Sequence, residues 1–277
     1  MYADTATSDV NSVMAESDWA RCSYQRRDLE RDLRRALARR EMEVHYQPKV
    51  SLLSGMMRGV EVLLRWRHPL LGLIAPALFL PLAEDSGLIL DIGEWLLNEV
   101  CHQAASWLEP GIDTTIAINV SQQQVQRGLL MQRLLSMTES AGIPLRAIEL
   151  EVDDFWQHGP RGIGLLKSLR IAGVRIAVDH VGSKHPDLAA MRNMEVDVLK
   201  IDRSIVRHIE CDAAMRQRVL DIVSVARDAE METVAEGIER ETQALCLKGL
   251  GCQVGQGYFF ARPGPIHRLE YWMEGRV

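Results

Sequence analysis

Basic excess, long apolar runs and paired cysteines are all missing from this 277-residue chain, and each absence removes a class of protein. Acidic residues outnumber basic ones, 38 to 32, for a formal charge of −6. Domains that lay a broad face on nucleic acid are usually strongly basic, so direct nucleic-acid binding is not expected. The most apolar stretch, Leu70 to Ala83, is interrupted by Pro76 and Pro81. It falls short of the roughly 20 residues that a membrane-spanning helix needs. The amino terminus lacks a basic region followed by an apolar one, so no secretory signal is expected. Five scattered cysteines (Cys22, Cys101, Cys211, Cys246 and Cys252), none at CxxC spacing, indicate neither a zinc cluster nor a disulfide framework. Reduced thiols and a cytoplasmic location are the simplest expectation.

What is present is an ordinary globular composition, 47% hydrophobic and 25% charged. The length suits one α/β barrel of roughly 250 residues as well as two small domains. Residues 1–25 are small and polar without a sustained period and are expected to form a flexible leader, with the folded domain over 26–277. From Asp28 onward Leu29, Leu33 and Leu37 recur among arginines and acids, the pattern of an amphipathic helix. A single stripe over so few turns favours a helix docked on a core over half of a coiled-coil linker.

Short β-type runs then alternate with longer helical ones. The runs are Val44–Tyr46, Val60–Leu64, Thr115–Val120, Ile148–Val152, Arg175–Val178, Val196–Ile201, Thr233–Ala235 and Gln253–Phe260. Between them Asp212–Asp228 reads as a helix with Met215, Val219, Ile222, Val223 and Ala226 on one face. Repeated β-then-α units imply parallel strands covered by helices, and eight runs favour a closed barrel over an open sheet.

Polar residues fall in or just after nearly every run: Gln47, Glu61, Asn119, Glu151, Asp179, Lys200 with Asp202, Glu236 and Gln256. One such residue is as often an ordinary strand-end group as a functional one. In a parallel barrel, however, these strand ends converge on one mouth, where active sites form. Acids gathered there repel one another unless cations are present. An oxygen-rich set with little sulfur or histidine suits Mg²⁺, Mn²⁺ or Ca²⁺. A metal-dependent site for a phosphate ester is the expectation.

These same segments resemble the EAL family of cyclic di-GMP phosphodiesterases. The motifs occur in family order: HYQP at His45–Pro48, GVEVLLRW at Gly59–Trp66, INVS at Ile118–Ser121, IELEV at Ile148–Val152, AVDH at Ala177–His180, VLKIDRS at Val198–Ser204, VAEGIE at Val234–Glu239 and GQGYFFARP at Gly255–Pro263. The resemblance covers roughly residues 26 to 265. It implies a TIM-like (β/α)8 barrel whose first strand runs antiparallel to the rest. It also implies that Glu61, Asn119, Glu151 and Asp179 hold a first Mg²⁺ or Mn²⁺ ion, that Lys200 orients the attacking water, and that Glu236 belongs to the metal and water cluster. Gln47, Arg65, Asp202, Glu239 and Gln256 are implied to contact or frame the dinucleotide. A homodimer formed through helices beside the mouth is a further implication.

The chain departs from the family pattern at the second metal position. Where the family has two successive aspartates, this chain has Asp179 then His180. The loop that follows, usually similar to FGTGYSSL, reads Val181 to Leu188 as VGSKHPDL, and Asp154 stands where a longer glutamate anchors that loop. The change from EAL to Glu61-Val62-Leu63 keeps the glutamate. His180 is open to three readings: a nitrogen ligand for Mn²⁺ or Zn²⁺, a hydrogen-bonded residue of a disabled site, or a cation standing where the second metal would sit. The expectation is a degenerate member, inactive or feeble, that binds cyclic di-GMP and regulates gene expression, virulence or motility through a protein partner. With no attached signalling domain in these residues, its layout is similar to that of standalone degenerate members, among them a transcriptional repressor. The alternatives are an active metal-dependent phosphodiesterase producing pGpG, and a ligand-free interaction module. His185 and His208 are read as solvated, the RWRHP stretch beyond Arg65 as a strand-end loop, and Trp66, Trp95, Trp107 and Trp156 as packing residues.

Overall fold

In the computed structural model the described residues are 13–14, 26–107, 114–153, 159–182, 192, 195–269 and 272. They fall into two compact units, a smaller one from Met1–Val44 and Leu64–Ile92 and a larger one from His45–Leu63 and Gly93–Val277. Strands β2 (Met42–Ser51) and β3 (Met57–His68) run through both.

The larger unit is a closed barrel. Its strands are β2, β3, β5 (Thr115–Val120), β6 (Ile148–Val152), β7 (Arg175–Val181), β8 (Val198–Ile201), β9 (Glu232–Ala235) and β10 (Val254–Gly255). Neighbours pair in the order β3-β2-β10-β9-β8-β7-β6-β5, and β3 closes the ring on β5. Every pairing from β3 through β5 to β10 is parallel. Only β2 is reversed, antiparallel to β10. Helices α3 (Ile89–Trp107), α5 (Leu130–Ala141), α6 (Gly159–Ile171), α8 (Ala213–Asp228) and α9 (Glu241–Gly249) follow strands in turn, and α4 (Gln122–Arg127) and α7 (Arg203–Val206) are short turns between them. Ser121 and Gln124 cap α4 reciprocally, and Asp202 and Asp212 cap α7 and α8 through their carboxylates, satisfying otherwise orphaned N–H groups.

Strand side chains alternate between two faces, so residues two apart on one strand occupy successive layers inside a barrel. Ala177, Val198, Val234 and Val254 form one buried layer, contributed by four strands. One step toward the strands' carboxyl ends lie Asp179, Lys200, Glu236 and Gln256; one step toward the amino ends of β7 and β9 lie Arg175 and Glu232. An apolar layer therefore separates two polar ones.

The smaller unit holds α1 (Arg26–Ala36), β4 (Gly72–Ile74), α2 (Pro76–Ser86) and β1 (Val13–Met14), a strand within the stretch read as a leader. β1 pairs in parallel with β4, and β4 pairs antiparallel with the end of β3. Fully buried Trp66 meets Phe79 edge-on at 5.9 Å and donates from its indole to Glu41 at 3.0 Å. The rest of residues 1–25 lies outside the described residues.

Several element readings are corrected. α1 buries Leu29, Leu33 and Ala36, not Leu37, because the helix ends at Ala36 and Leu37 starts the turn. On α8 the buried stripe is Val219, Ile222, Val225 and Ala226; Met215 and Val223 are only half-buried. RWRHP is strand through His68, not loop, since Trp66, Arg67 and His68 pair with β4, and only Pro69 is in a turn. The run Gln253–Phe260 is strand only at Val254–Gly255; Tyr258–Phe260 form a turn whose amides close on Ile238 and Gly257. His208 is exposed as expected, and Trp156 and His185 lie outside the described residues.

Candidate active site

The carboxyl-terminal strand ends bring Glu61, Asn119, Glu151, Asp179, Lys200 and Glu236 into contact around one ammonium group. Lys200 is completely buried. Its Nζ stands 2.5 Å from Glu151 Oε2, 2.7 Å from Glu236 Oε1, 3.5 Å from Glu61 Oε2 and 3.7 Å from Asp179 Oδ2. Asn119 donates its amide to Glu61 Oε1 at 2.9 Å. Gln256 Nε2 donates to Glu61 Oε2 at 2.6 Å and to Gln47 Oε1 at 3.1 Å, while Gln47 donates onward to the Ala261 carbonyl at 2.9 Å.

Lys200 stands among four carboxylates and Lys49 reaches one of them only at 3.7 Å, so the described residues leave a buried excess of negative charge that the acids share unequally. Burial pushes Glu151 well above the usual carboxylate range, and Glu61 and Asp179 add to the rise against Lys200 and Lys49. Burial likewise pushes Glu236 up to about 7, the Lys200 charge only partly offsetting it. Glu61 is held below its ordinary value despite burial, because Lys200, Gln256 and Asn119 all favour its charged form. Lys200 is held well above its ordinary value by Asp179, Glu151, Glu236 and Glu61, which outweigh its desolvation.

His180 adds a nitrogen to this oxygen cluster. The β7–β8 register slips by one residue between Val178 and Val181, so a bulge carries Asp179 and His180. His180 takes φ 56°, a left-handed conformation uncommon for a non-glycine residue. Its backbone N–H donates to Asp179 Oδ1 at 2.7 Å. Its ring Nδ1 lies 2.8 Å from Asp202 Oδ2, and its Nε2 lies 3.9 Å from Asp179 Oδ2. With the proton on Nδ1 the ring donates to Asp202, and Nε2 keeps its lone pair for the cluster. Asp179, His180 and Glu236 offer ligand atoms all within 4.8 Å of one another.

These residues fit a divalent cation. Beyond the charge excess, Glu151 Oε1 is buried and accepts no hydrogen bond among the described residues, the Lys49 ammonium coming only to 3.7 Å. A buried acceptor of this kind is costly unless something pairs with it. Oxygen donors with one imidazole are the donor set of hard to intermediate metal ions.

Neither Asp202 nor Glu239 is among the groups that Lys200 contacts. Asp202 accepts both from the His180 ring and, through Oδ1, from the Ser204 N–H at 2.8 Å. Glu239 is exposed; its backbone N–H donates to Gln243 at 2.8 Å, and its carboxylate has no hydrogen bond among the described residues. Arg65 belongs to the smaller unit, buried, with Nη1 donating to the Leu64 carbonyl at 2.8 Å. Asp154 and residues 183–188 lie outside the described residues.

Sequence reasoning missed a second buried charge network beneath the first. Lys49 Nζ bonds Glu149 Oε1 at 2.5 Å and lies 3.7 Å from Glu151 Oε1. Arg175 joins Glu149 at 3.1 Å and Glu232 at 2.7 Å. The available signal was the two-residue spacing of Glu149 from Glu151, which places both on one strand face.

A family model described as the EAL domain matches residues 30–263. The chain is 39% identical over 241 residues to the bifunctional diguanylate cyclase/cyclic di-GMP phosphodiesterase MucR of Pseudomonas aeruginosa, a match covering 86% of this chain and 35% of that protein. It is 34% identical over 248 residues to the cyclic di-GMP phosphodiesterase NbdA of the same organism, covering 88% of this chain and 32% of that protein. The chain thus spans about a third of the length of these curated relatives. Among solved structures, the c-di-GMP complex of the PaMucR phosphodiesterase superposes with a TM-score of 0.82 at 38% identity, covering 87% of this chain and 99% of that one. The EAL enzyme Bd1971 in its cAMP- and cyclic-di-GMP-bound form gives 0.83 at 30% identity, covering 88% and 68%. The matched region takes in every barrel strand and both polar layers, and the chain belongs to the EAL domain family.

Proposed function

We propose that this chain binds cyclic di-GMP at the carboxyl-terminal mouth of its barrel, with a divalent cation held by Glu61, Asn119, Glu151 and Asp179, and hydrolyses it slowly to pGpG. The observation that carries this reading is the gathering of four carboxylates about Lys200 with one buried carboxylate oxygen left without a hydrogen bond. The names of the relatives, cyclic di-GMP phosphodiesterases and a c-di-GMP complex, support the choice of ligand.

A Mg²⁺ or Mn²⁺ ion at such a site supplies positive charge for phosphoryl oxygens and makes a bound water more acidic. The protein's own groups then divide the work. Glu236, held 2.7 Å from Lys200 Nζ, is placed to take a proton from an attacking water. Lys200 orients that water and fixes Glu151 and Glu236 through its hydrogen bonds. Gln256 Oε1, buried and without a hydrogen bond among the described residues, is open to a ligand N–H, and Gln47 holds the Gln256 amide in place. Roles for Arg65 and Glu239 rest on the family resemblance alone.

His180 is the reason hydrolysis is proposed to be slow. A neutral imidazole brings no negative charge to bridge two cations, and loss of one element of transition-state electrostatics commonly costs about 10²- to 10³-fold. Binding that outlasts turnover suits a receptor acting on a protein partner, the regulatory role expected from the sequence. The second reading, a fully working phosphodiesterase, is favoured by one observation: Asp202 engages Nδ1 and leaves Nε2 for a softer ion such as Mn²⁺.

Calorimetric titration with cyclic di-GMP in Mg²⁺, Mn²⁺ and EDTA, with product analysis, tests both. Metal-dependent binding with slow pGpG formation is expected. Rapid turnover confined to Mn²⁺ and abolished in Glu61→Gln selects the second reading. Absence of binding in every condition overturns both.

A further inference from the structure

The opposite, amino-terminal end of the barrel holds a cavity of about 270 Å³, lined by Lys49, Arg58, Arg146, Arg175, Glu149 and Glu232, together with Thr115, Val234 and Val254. We infer that this cavity is a second binding site, for a small dianion carrying a phosphate group or paired carboxylates.

The charges lining it divide into a neutral floor and a cationic rim. In the floor, Glu149 is paired through both oxygens, Oε1 to Lys49 at 2.5 Å and Oε2 to Arg175 at 3.1 Å. Arg175 also holds Glu232 Oε2 at 2.7 Å. Two cations and two acids thus cancel. Arg58 and Arg146 remain. Arg58 has a side chain 63% exposed and touches Glu232 Oε1 only at 3.9 Å, beyond hydrogen-bond reach. Arg146 is exposed, and its guanidinium makes no hydrogen bond or ion pair among the described residues.

Two guanidinium groups on the wall of one cavity, with their donors uncommitted, are the arrangement that planar forks use on phosphate and carboxylate. Their charge runs against the chain's formal −6, so a general basic surface does not account for it. Gly59 keeps the wall thin: a Cβ there would lie 2.3 Å from Thr115 Oγ1 and 3.4 Å from Lys49 Cε. The cavity is slightly smaller than the roughly 300–1,000 Å³ of pockets for drug-sized ligands, which points to a small metabolite. Lys49 also reaches toward Glu151 of the opposite mouth at 3.7 Å, so an anion drawing on Arg175 perturbs a pair that touches both ends.

The test titrates the full chain, stripped of metal on a chelating resin, with sodium phosphate and, separately, with malonate, at about pH 8 and low salt, by calorimetry. Without cations at the other mouth, its uncompensated carboxylates repel both probes. Saturable binding is expected, weakened about tenfold by Arg58→Ala and again by Arg146→Ala, as loss of one charge-assisted contact requires. Both side chains are exposed, and unchanged thermal midpoints in the variants confirm that folding is intact. The probe bound more tightly identifies the chemistry, phosphate or dicarboxylate. Equal binding in wild type and the double variant overturns the inference, as does a titration that fails to saturate with either probe.

Discussion

Replacing Lys49 by methionine tests the lower charge network, which no motif announces. The Lys49 and Glu149 side chains are 4% and 2% exposed, so solvent screens their attraction little. Burial favours the neutral forms of both, yet Lys49 stays above its ordinary value through Glu149 and Glu151, and Glu149 stays below its own through Lys49 and Arg175. Methionine fills nearly the same volume but leaves Glu149 with Arg175 alone. Breaking a buried ion pair costs about 3–5 kcal/mol. The surviving Arg175 contact at 3.1 Å places this case near the lower figure, about 3 kcal/mol. For a chain of this size that is a fall in Tm of roughly 6–12 °C. The assay is urea unfolding followed by tryptophan fluorescence on wild type, Lys49→Met, Glu149→Gln and the double variant. The double variant is expected to be more stable than the sum of the single losses predicts, by about 1–3 kcal/mol, because no unpaired charge remains. A loss under about 1 kcal/mol for Lys49→Met, with additive single effects, would show that Arg175 and water already neutralise Glu149 and would refute the reasoning.

Other expectations follow from packing and burial. Leu134 on α5 is fully buried, so Leu134→Ala should cost about 2–5 kcal/mol in the same unfolding assay. Burial pushes the thiols of Cys101 and Cys252 up to about 11. Since a raised pKa depletes the thiolate, about one in 10³ of each is ionised at pH 8. Peptide mapping after iodoacetamide should find exposed Cys211 alkylated and these two spared, with their labelling rising only as the pH approaches 11. A Cβ on Gly257 would meet the Ile238 carbonyl oxygen at 2.1 Å and its amide nitrogen at 2.3 Å. Gly257→Ala should therefore displace the neighbouring Gln256 and weaken cyclic di-GMP binding more than it lowers Tm, compared by calorimetry and thermal melts. Tight binding in that variant would separate Gln256 from the ligand.

Much of the upper site was legible in one dimension. Polar residues at the ends of β-type runs mark the mouth wherever those strands are parallel, and Glu61, Asn119, Glu151, Asp179, Lys200 and Glu236 do meet there. A two-residue period reports which face a side chain takes, and motif order added the identity of the neighbours. The exact helix stripes were less secure. Leu37 and Ala36, or Val223 and Val225, differ by small rotations about a helix axis that only the packed neighbour decides.

What the sequence by itself determined, then, was the β-then-α order, the polar strand ends and the substitution of His180 for a carboxylate. The tertiary structure alone decided how His180 is used: a one-residue bulge and a left-handed backbone turn its Nδ1 onto Asp202, 22 residues away. It alone decided that Lys49 pairs with Glu149 across 100 residues, and that Arg175 joins Glu149 to Glu232 beneath the apolar layer. The reason is physical. Periodicity fixes the direction of a side chain from its own backbone, whereas the partner of a buried charge is fixed by barrel closure, which brings distant strands to one axis.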